Sequence, residues 1–180
     1  LAGSSQPPTY PNVTNYHPAQ SGALKNYVTG VTLPVNVAVS GGSNNGSATS
    51  SFTSGTDAYN IFYGKINPDL IIAYGGGNHY FTFTGLDPSK TYRFVHWADR
   101  GDIGYNNTRY STVTLSDVAS FTTNSSTGVS ISTTTMPDDS ATYCTGYNSL
   151  RGYVAGFTDI NPGSDGNMTI TVTSSDSTPH

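Results

Sequence analysis

The chain has 180 residues and a formal net charge of −4; only 10% of its residues are charged, and all eleven acids are Asp. With Glu absent and Leu, Ala, Lys and Gln scarce, an all-α fold is excluded as the leading reading. Four Arg and three Lys stand singly along the chain, so no basic stripe marks a nucleic-acid surface and acidic polymers are disfavoured.

Ser and Thr supply 49 residues, Asn 15, Gly 20 and Tyr 13. Thr, Val, Tyr and Phe suit a half-buried pleated surface, which moves the expectation to all-β. The 21 aromatics are enough for a core and argue against disorder.

Residues 1–22 carry Pro7, Pro8, Pro11 and Pro18 among Ser, Asn and Gly, and read as an N-terminal arm. The chain opens at Leu1 with no charged-then-apolar leader, as a processed protein would. Residues 23–173 read as one β domain, and residues 174–180 as a C-terminal tail.

Leu33, Val35, Val37 and Val39 share one face of a predicted strand. A Gly/Ser/Asn turn follows at Gly41–Gly46, then a short helical turn near Thr56 to Tyr63. Leu70 to Tyr74 is the longest apolar run, far short of the roughly 20 residues a membrane helix needs. After Gly75-Gly76-Gly77-Asn78, alternation returns at Phe81 and Phe83, and again at Tyr92, Phe94 and His96. Val113 with Leu115, Val129 with Ile131, and Met168, Ile170 and Val172 repeat the pattern. Short strands at this spacing predict a two-sheet antiparallel sandwich, jelly-roll or immunoglobulin-like, of about nine to eleven strands. Gly85-Leu86-Asp87-Pro88-Ser89-Lys90-Thr91-Tyr92 looks like a tyrosine corner, whose hydroxyl bonds back to the upstream backbone.

The order of Gly55–Lys65, Phe81–Tyr92, Ala98-Asp99-Arg100, Asn148–Phe157 and Ile160–Gly166 is similar to a poorly characterised β-sandwich module. That module occurs in large secreted and cell-surface proteins of bacteria. Asn12–Tyr16 and Tyr27–Gly30 fit as well, so the resemblance spans roughly residues 12 to 173. It implies an extracellular, modular and non-catalytic protein, and it brings no catalytic residues with it. One departure is the C-terminus: such modules continue into a further strand, whereas this chain runs out in Thr173 to His180.

Catalytic patterns are thin. Glycoside hydrolysis needs two positioned carboxylates, and the candidates are Asp99 with Asp102 and the adjacent Asp138 and Asp139, all in turn-like stretches. A serine triad has no Gly-x-Ser-x-Gly elbow. His79 and His96 lie in strands of opposite character, while His17 and His180 lie in the end segments. No tight His/Cys cluster suggests zinc. A structural Ca2+ fits better, with hard oxygens from Asp159, Asn161 and Asp165 around a Pro-Gly loop, although ordinary turn chemistry explains the same residues. No other cofactor is expected. Cys144 stands alone and reads as a small buried apolar residue.

Binding patterns are richer. Sugars stack their C–H faces on flat rings. Trp97, Asp99, Arg100, Tyr105, Asn106, Asn107, Arg109 and Tyr110 fall in one strand-loop-strand stretch. Tyr147, Asn148, Arg151 and Tyr153 form a second. The carbohydrate reading competes with one in which these are rim aromatics of a sandwich. Arg100-Gly101-Asp102 matches the integrin tripeptide, at the frequency chance supplies. Asn12, Asn45, Asn106, Asn124 and Asn167 head glycosylation sequons, a number that composition alone produces.

The leading expectation is a secreted structural module of a microbial surface, partnered by copies of itself or by neighbouring modules. Its terminal segments would add strands to open sheets. The alternative is a carbohydrate-binding module whose partner is a polysaccharide. Neither reading involves nucleic acid or membrane insertion.

Overall fold

Alternation decides the strands. In Tyr110–Ser116, Ser111, Val113 and Leu115 are buried while Thr112, Thr114 and Ser116 stay partly wet, a period of two. The computed structural model describes residues 12–14, 16, 19–42, 50–66, 78–133 and 139–174. Ten strands lie among these residues. They are β1 (Ser21–Lys25), β2 (Thr32–Gly41), β3 (Asn78–Thr84), β4 (Tyr92–His96) and β5 (Tyr110–Ser116), then β6 (Ser120–Thr123), β7 (Ser130–Thr133), β8 (Asp139–Cys144), β9 (Ala155–Asn161) and β10 (Met168–Ser174). One helix, α1 (Asp57–Phe62), and one 3-10 turn, Ile103–Tyr105, complete the described elements.

The strands form two antiparallel sheets, one ordered β1-β2-β3-β10-β5-β8-β7 and one ordered β4-β9-β6. The all-β, two-sheet architecture expected from the sequence is the one observed. Between the sheets, Val113 and Leu115 of β5, Ala141 and Tyr143 of β8, and Met168 and Ile170 of β10 share one core with Ala155, Phe157 and Ile160 of β9. Phe83 meets Phe94 edge-on at 6.1 Å across the two layers, and Phe121 meets Phe157 at 5.6 Å within the small sheet.

Four strands had no alternation signal of their own in the sequence: β1, β6, β8 and β9. In β9 the reason is a bulge. Tyr92 pairs with Ile160 and Phe94 with Phe157, so one intervening residue faces two. Asp159 takes up the extra residue at φ 53°. Phe157 and Ile160 therefore both point inward, fully buried, where strict alternation would have turned one of them out.

The tyrosine corner forms as the motif suggests. The Asp87 N–H donates to the Tyr92 hydroxyl at 2.6 Å. Asp87 also accepts from the Ser89 N–H and hydroxyl and pairs with Lys90 at 2.7 Å. Lys90 first, then Ser89, hold its carboxyl well below the usual carboxylate range.

The two ends of the large sheet differ. Beside β1, the Lys25 N–H donates to Thr14 Oγ1, Tyr16 donates to the Ala23 carbonyl, and Asn12 donates to the Tyr27 carbonyl. Asn12, Thr14 and Tyr16 thus pack on their own β1–β2 hairpin. Strand β1 starts at Ser21 and β10 reaches Ser174, one or two residues past the domain limits drawn from composition. The last described strand, β10, lies inside the large sheet, between β3 and β5. Residues 1–11 and 175–180, and with them the tail-donation reading, lie outside the described residues, as do His17, His180, Asn45, Asp138 and the run Leu70 to Tyr74.

Candidate functional site

Three segments meet at one end of the sandwich: the β4–β5 connection (residues 97–109), the β8–β9 connection (145–154), and residues 50–62 with α1. The first two continue the strand pairing beyond the sheets. Arg109 accepts from the Thr145 and Gly146 N–H groups at 3.0 and 3.3 Å. The Arg100 N–H donates to Thr145 at 2.7 Å and the Asp102 N–H to Gly146 at 3.2 Å. Gly146 must be glycine, because a Cβ there would stand 2.2 Å from the Tyr105 carbonyl oxygen.

Asn148 locks the arrangement. Its side chain is fully buried, donates to the Ala98 and Tyr153 carbonyls at 3.0 and 2.9 Å, and accepts from the Tyr153 N–H at 2.9 Å. Its own N–H donates to Asp99 Oδ1 at 2.5 Å, and Ser50 donates to Asp99 Oδ2 at 2.5 Å. A buried carboxylate held this way has both oxygens engaged, which is how such a charge tolerates burial. Helix α1 joins through Ala58 N–H to the Gly152 carbonyl at 3.0 Å. Its N-cap Thr56, which accepts from the Tyr59 N–H, lies against Gly152, itself at φ 58°.

On this frame the fold gathers six of the proposed binding residues. The Arg109 guanidinium sits over the Tyr105 ring at 3.5 Å, and Arg100 is 6.0 Å from the same ring. Arg151 donates to Asn107 Oδ1 at 2.6 Å, and Tyr110 donates to the Asn107 carbonyl at 3.4 Å. Asn107 holds this position at φ 66°, a conformation Asn tolerates. Arg151 Nη1 and Asn106 Oδ1 are enclosed and have no partner among the described residues.

Other proposed residues go elsewhere. Trp97 is half-buried and packs against Phe52 at 4.7 Å, with Phe62 behind Phe52 at 6.2 Å; its Nε1 is enclosed without a described partner. The ring is part of an aromatic wall with Phe52 and Phe62. Tyr153 packs on the core and places its hydroxyl beside Gly128. Tyr147 is half-buried. The exposed aromatic of this end is Tyr63, stacked on Tyr59 at 4.3 Å, which no sequence pattern singled out. Tyr63, Ile103 and Leu150 are all large exposed apolar residues on these segments.

The oxygens proposed for calcium serve turns. Asn161 Oδ1 accepts from the Gly163 N–H, Asp165 accepts from the Asn167 backbone and side chain, and Asp159 is the exposed bulge residue accepting from Thr158. Among the described residues no group of three or more His, Cys, Asp or Glu side chains is placed to hold a metal. Asp102 turns back to accept from the Gly104 N–H at 2.9 Å. Of the described sequon asparagines, Asn124 is exposed, whereas the Asn12 and Asn167 amides are bonded within the chain. Cys144 is buried, as expected.

Beneath the loops, the buried Tyr143 hydroxyl lies 2.8 Å from His96 Nδ1, joining the two sheets. Burial is the main cause that brings the His96 imidazole down to about 4 and pushes the Tyr143 phenol up. Among the described residues no helix is long and apolar enough to cross a membrane. Comparison with known proteins leaves the chain without a named relative: it matches no protein-family model, no curated protein and no solved structure.

Proposed function

We propose that this chain is a non-catalytic, extracellular β-sandwich module that binds polysaccharide through the loops at one end of the sandwich. The observation that carries this reading is the mounting of Arg100, Tyr105, Asn107, Arg109 and Arg151 on the buried Asp99–Asn148 network. Loops fixed by a rigid scaffold are where binding residues concentrate. The donors here are guanidinium, amide and phenol groups, which suit recognition of oxygen-rich ligands. Asp99 has both carboxylate oxygens engaged in the frame and so serves positioning. The Ser/Thr/Asn-rich composition and the resemblance to bacterial surface modules support an extracellular setting. Affinity electrophoresis through gels containing polysaccharides tests the proposal: the native protein is retarded by at least one of them, and the Tyr105→Ala/Arg151→Ala double variant runs freely. Equal mobility of both proteins in every gel would overturn it.

A second reading, self-association into a surface assembly, is favoured by strand β7. This edge of the large sheet reads Ser-Ile-Ser-Thr, with Ile131 exposed and neither charge nor proline to guard it. The β1 edge, by contrast, is bulged, carries Lys25 and is bonded to residues 14 and 16. Light scattering at rising concentration tests this reading: the native chain associates and Ile131→Lys stays monomeric.

A further inference from the structure

Three of the four arginines of this acidic chain converge on one loop cluster, although they lie far apart in sequence. Arg100 leaves β4, Arg109 enters β5, and Arg151 belongs to the β8–β9 connection. The first two share the Tyr105 ring, and the third is tied to Asn107 in the same β4–β5 connection. We propose that this cluster binds the oxyanion of an anionic polysaccharide, a carboxylate or a sulfate ester, a specificity that rests on the polysaccharide reading above.

Three arguments lead there. Charge comes first. The acids of the β4–β5 connection are Asp99 and Asp102, and both are committed within the protein: Asp99 to Ser50 and the Asn148 N–H, Asp102 to the Gly104 N–H. Three guanidiniums gathered on one loop cluster attract an anion at short range, and charges farther off are screened over about 8 Å in physiological salt.

Geometry is the second argument. A guanidinium presents a planar fork of N–H donors that matches the oxygens of a carboxylate or sulfate. The Arg109 contact with the Tyr105 ring and the Arg151 bond to Asn107 hold these flexible side chains before any ligand arrives. Less ordering then remains to oppose binding. The third argument is an unmet donor: Arg151 Nη1 is enclosed and lacks an acceptor among the described residues. An oxyanion entering the cluster supplies one.

The test is isothermal titration of the full chain with oligogalacturonate, with dextran sulfate and with neutral dextran. The native protein is expected to bind at least one anionic polymer and not dextran, and the preferred polymer separates carboxylate from sulfate. Binding should weaken as salt rises from about 0.05 to 0.3 M. Arg151→Gln should weaken it about tenfold, the loss of one charge-assisted contact. Arg93→Gln removes an equal charge from an exposed position on β4, away from the cluster, and should change affinity less than about twofold. Arg109→Gln provides the same readout if Arg151→Gln lowers the melting temperature. Equal losses in the Arg93 and Arg151 variants overturn the proposal. Binding of dextran as tight as that of the anionic polymers overturns it while leaving a polysaccharide-binding function in place. Binding of none of the three overturns this proposal, and the affinity-electrophoresis survey then decides the polysaccharide reading separately.

Discussion

Replacing Asn148 with Ala removes three side-chain hydrogen bonds, two that close the β8–β9 connection on Tyr153 and one that ties it to Ala98 of the β4–β5 connection. Each such bond contributes about 1 kcal/mol net, and an orphaned buried group adds a desolvation cost of similar size. The Ala98 carbonyl and the Tyr153 carbonyl and N–H all lose their Asn148 partner. The expected loss is about 3–5 kcal/mol, large for one substitution. For a domain of this size that is a fall of roughly 10 °C in melting temperature. Asn148→Asp keeps the acceptor but turns an oxygen toward two carbonyls, so its loss should equal or exceed that of Ala. Urea unfolding followed by far-UV circular dichroism reads both, with an unchanged m-value showing that the same surface unfolds. Asn36→Ala is the control. That side chain is exposed and donates to the Pro34 carbonyl, so the change should stay within about 0.5 kcal/mol. A loss below about 1 kcal/mol for Asn148→Ala would refute the claim that this residue holds the site together.

Protonation of His96 should set the acid sensitivity of the fold. Its folded pKa of about 4 lies below its ordinary value of 6.5, so the unfolded chain binds more protons between those limits and stability falls as pH drops below 6.5. Urea midpoints should show a loss of about 2 kcal/mol between pH 6.5 and 5, and His96→Gln should flatten that slope. Tyr92→Phe leaves the Asp87 N–H without its acceptor and should cost about 1–1.5 kcal/mol, read as a melting shift of a few degrees. Trp97→Ala removes a ring packed on Phe52 and should destabilise by about 2–4 kcal/mol. If instead Trp97→Ala left stability unchanged and abolished ligand binding, the ring would be a platform after all.

The architecture was legible wherever burial follows a period of two, as in Val113 and Leu115 of β5 or Ile170 of β10. It was hidden where the backbone breaks that period: the Asp159 bulge buries both Phe157 and Ile160, and no alternation survives to be read. Sheet order was not legible either, because β10 pairs with β3 and β5 through contacts that no local pattern encodes. The candidate site was half visible. The β4–β5 stretch stands out in sequence for its Tyr, Asn and Arg content. Its junction with Arg151, Asn148 and Ser50 depends on loop packing across the fold, which is why a chain without a basic stripe still builds a basic cluster. Phe52 and Tyr63 gave no signal, since isolated aromatics among Ser, Thr and Gly have no period to follow.

The central place of β10 bears on how the chain comes into being. Synthesis proceeds from the N-terminus, so β1, β2 and β3 and later β5, β7 and β8 exist before residues 168–174 do. Until then the large sheet is two leaves of three strands each, β1-β2-β3 and β5-β8-β7, with the inner edges of β3 and β5 open. The keystone arrives late and closes both at once, a pairing of high sequence separation and correspondingly slow formation. Within this domain the two leaves therefore stay unjoined until β10 has been made, however early each of them folds.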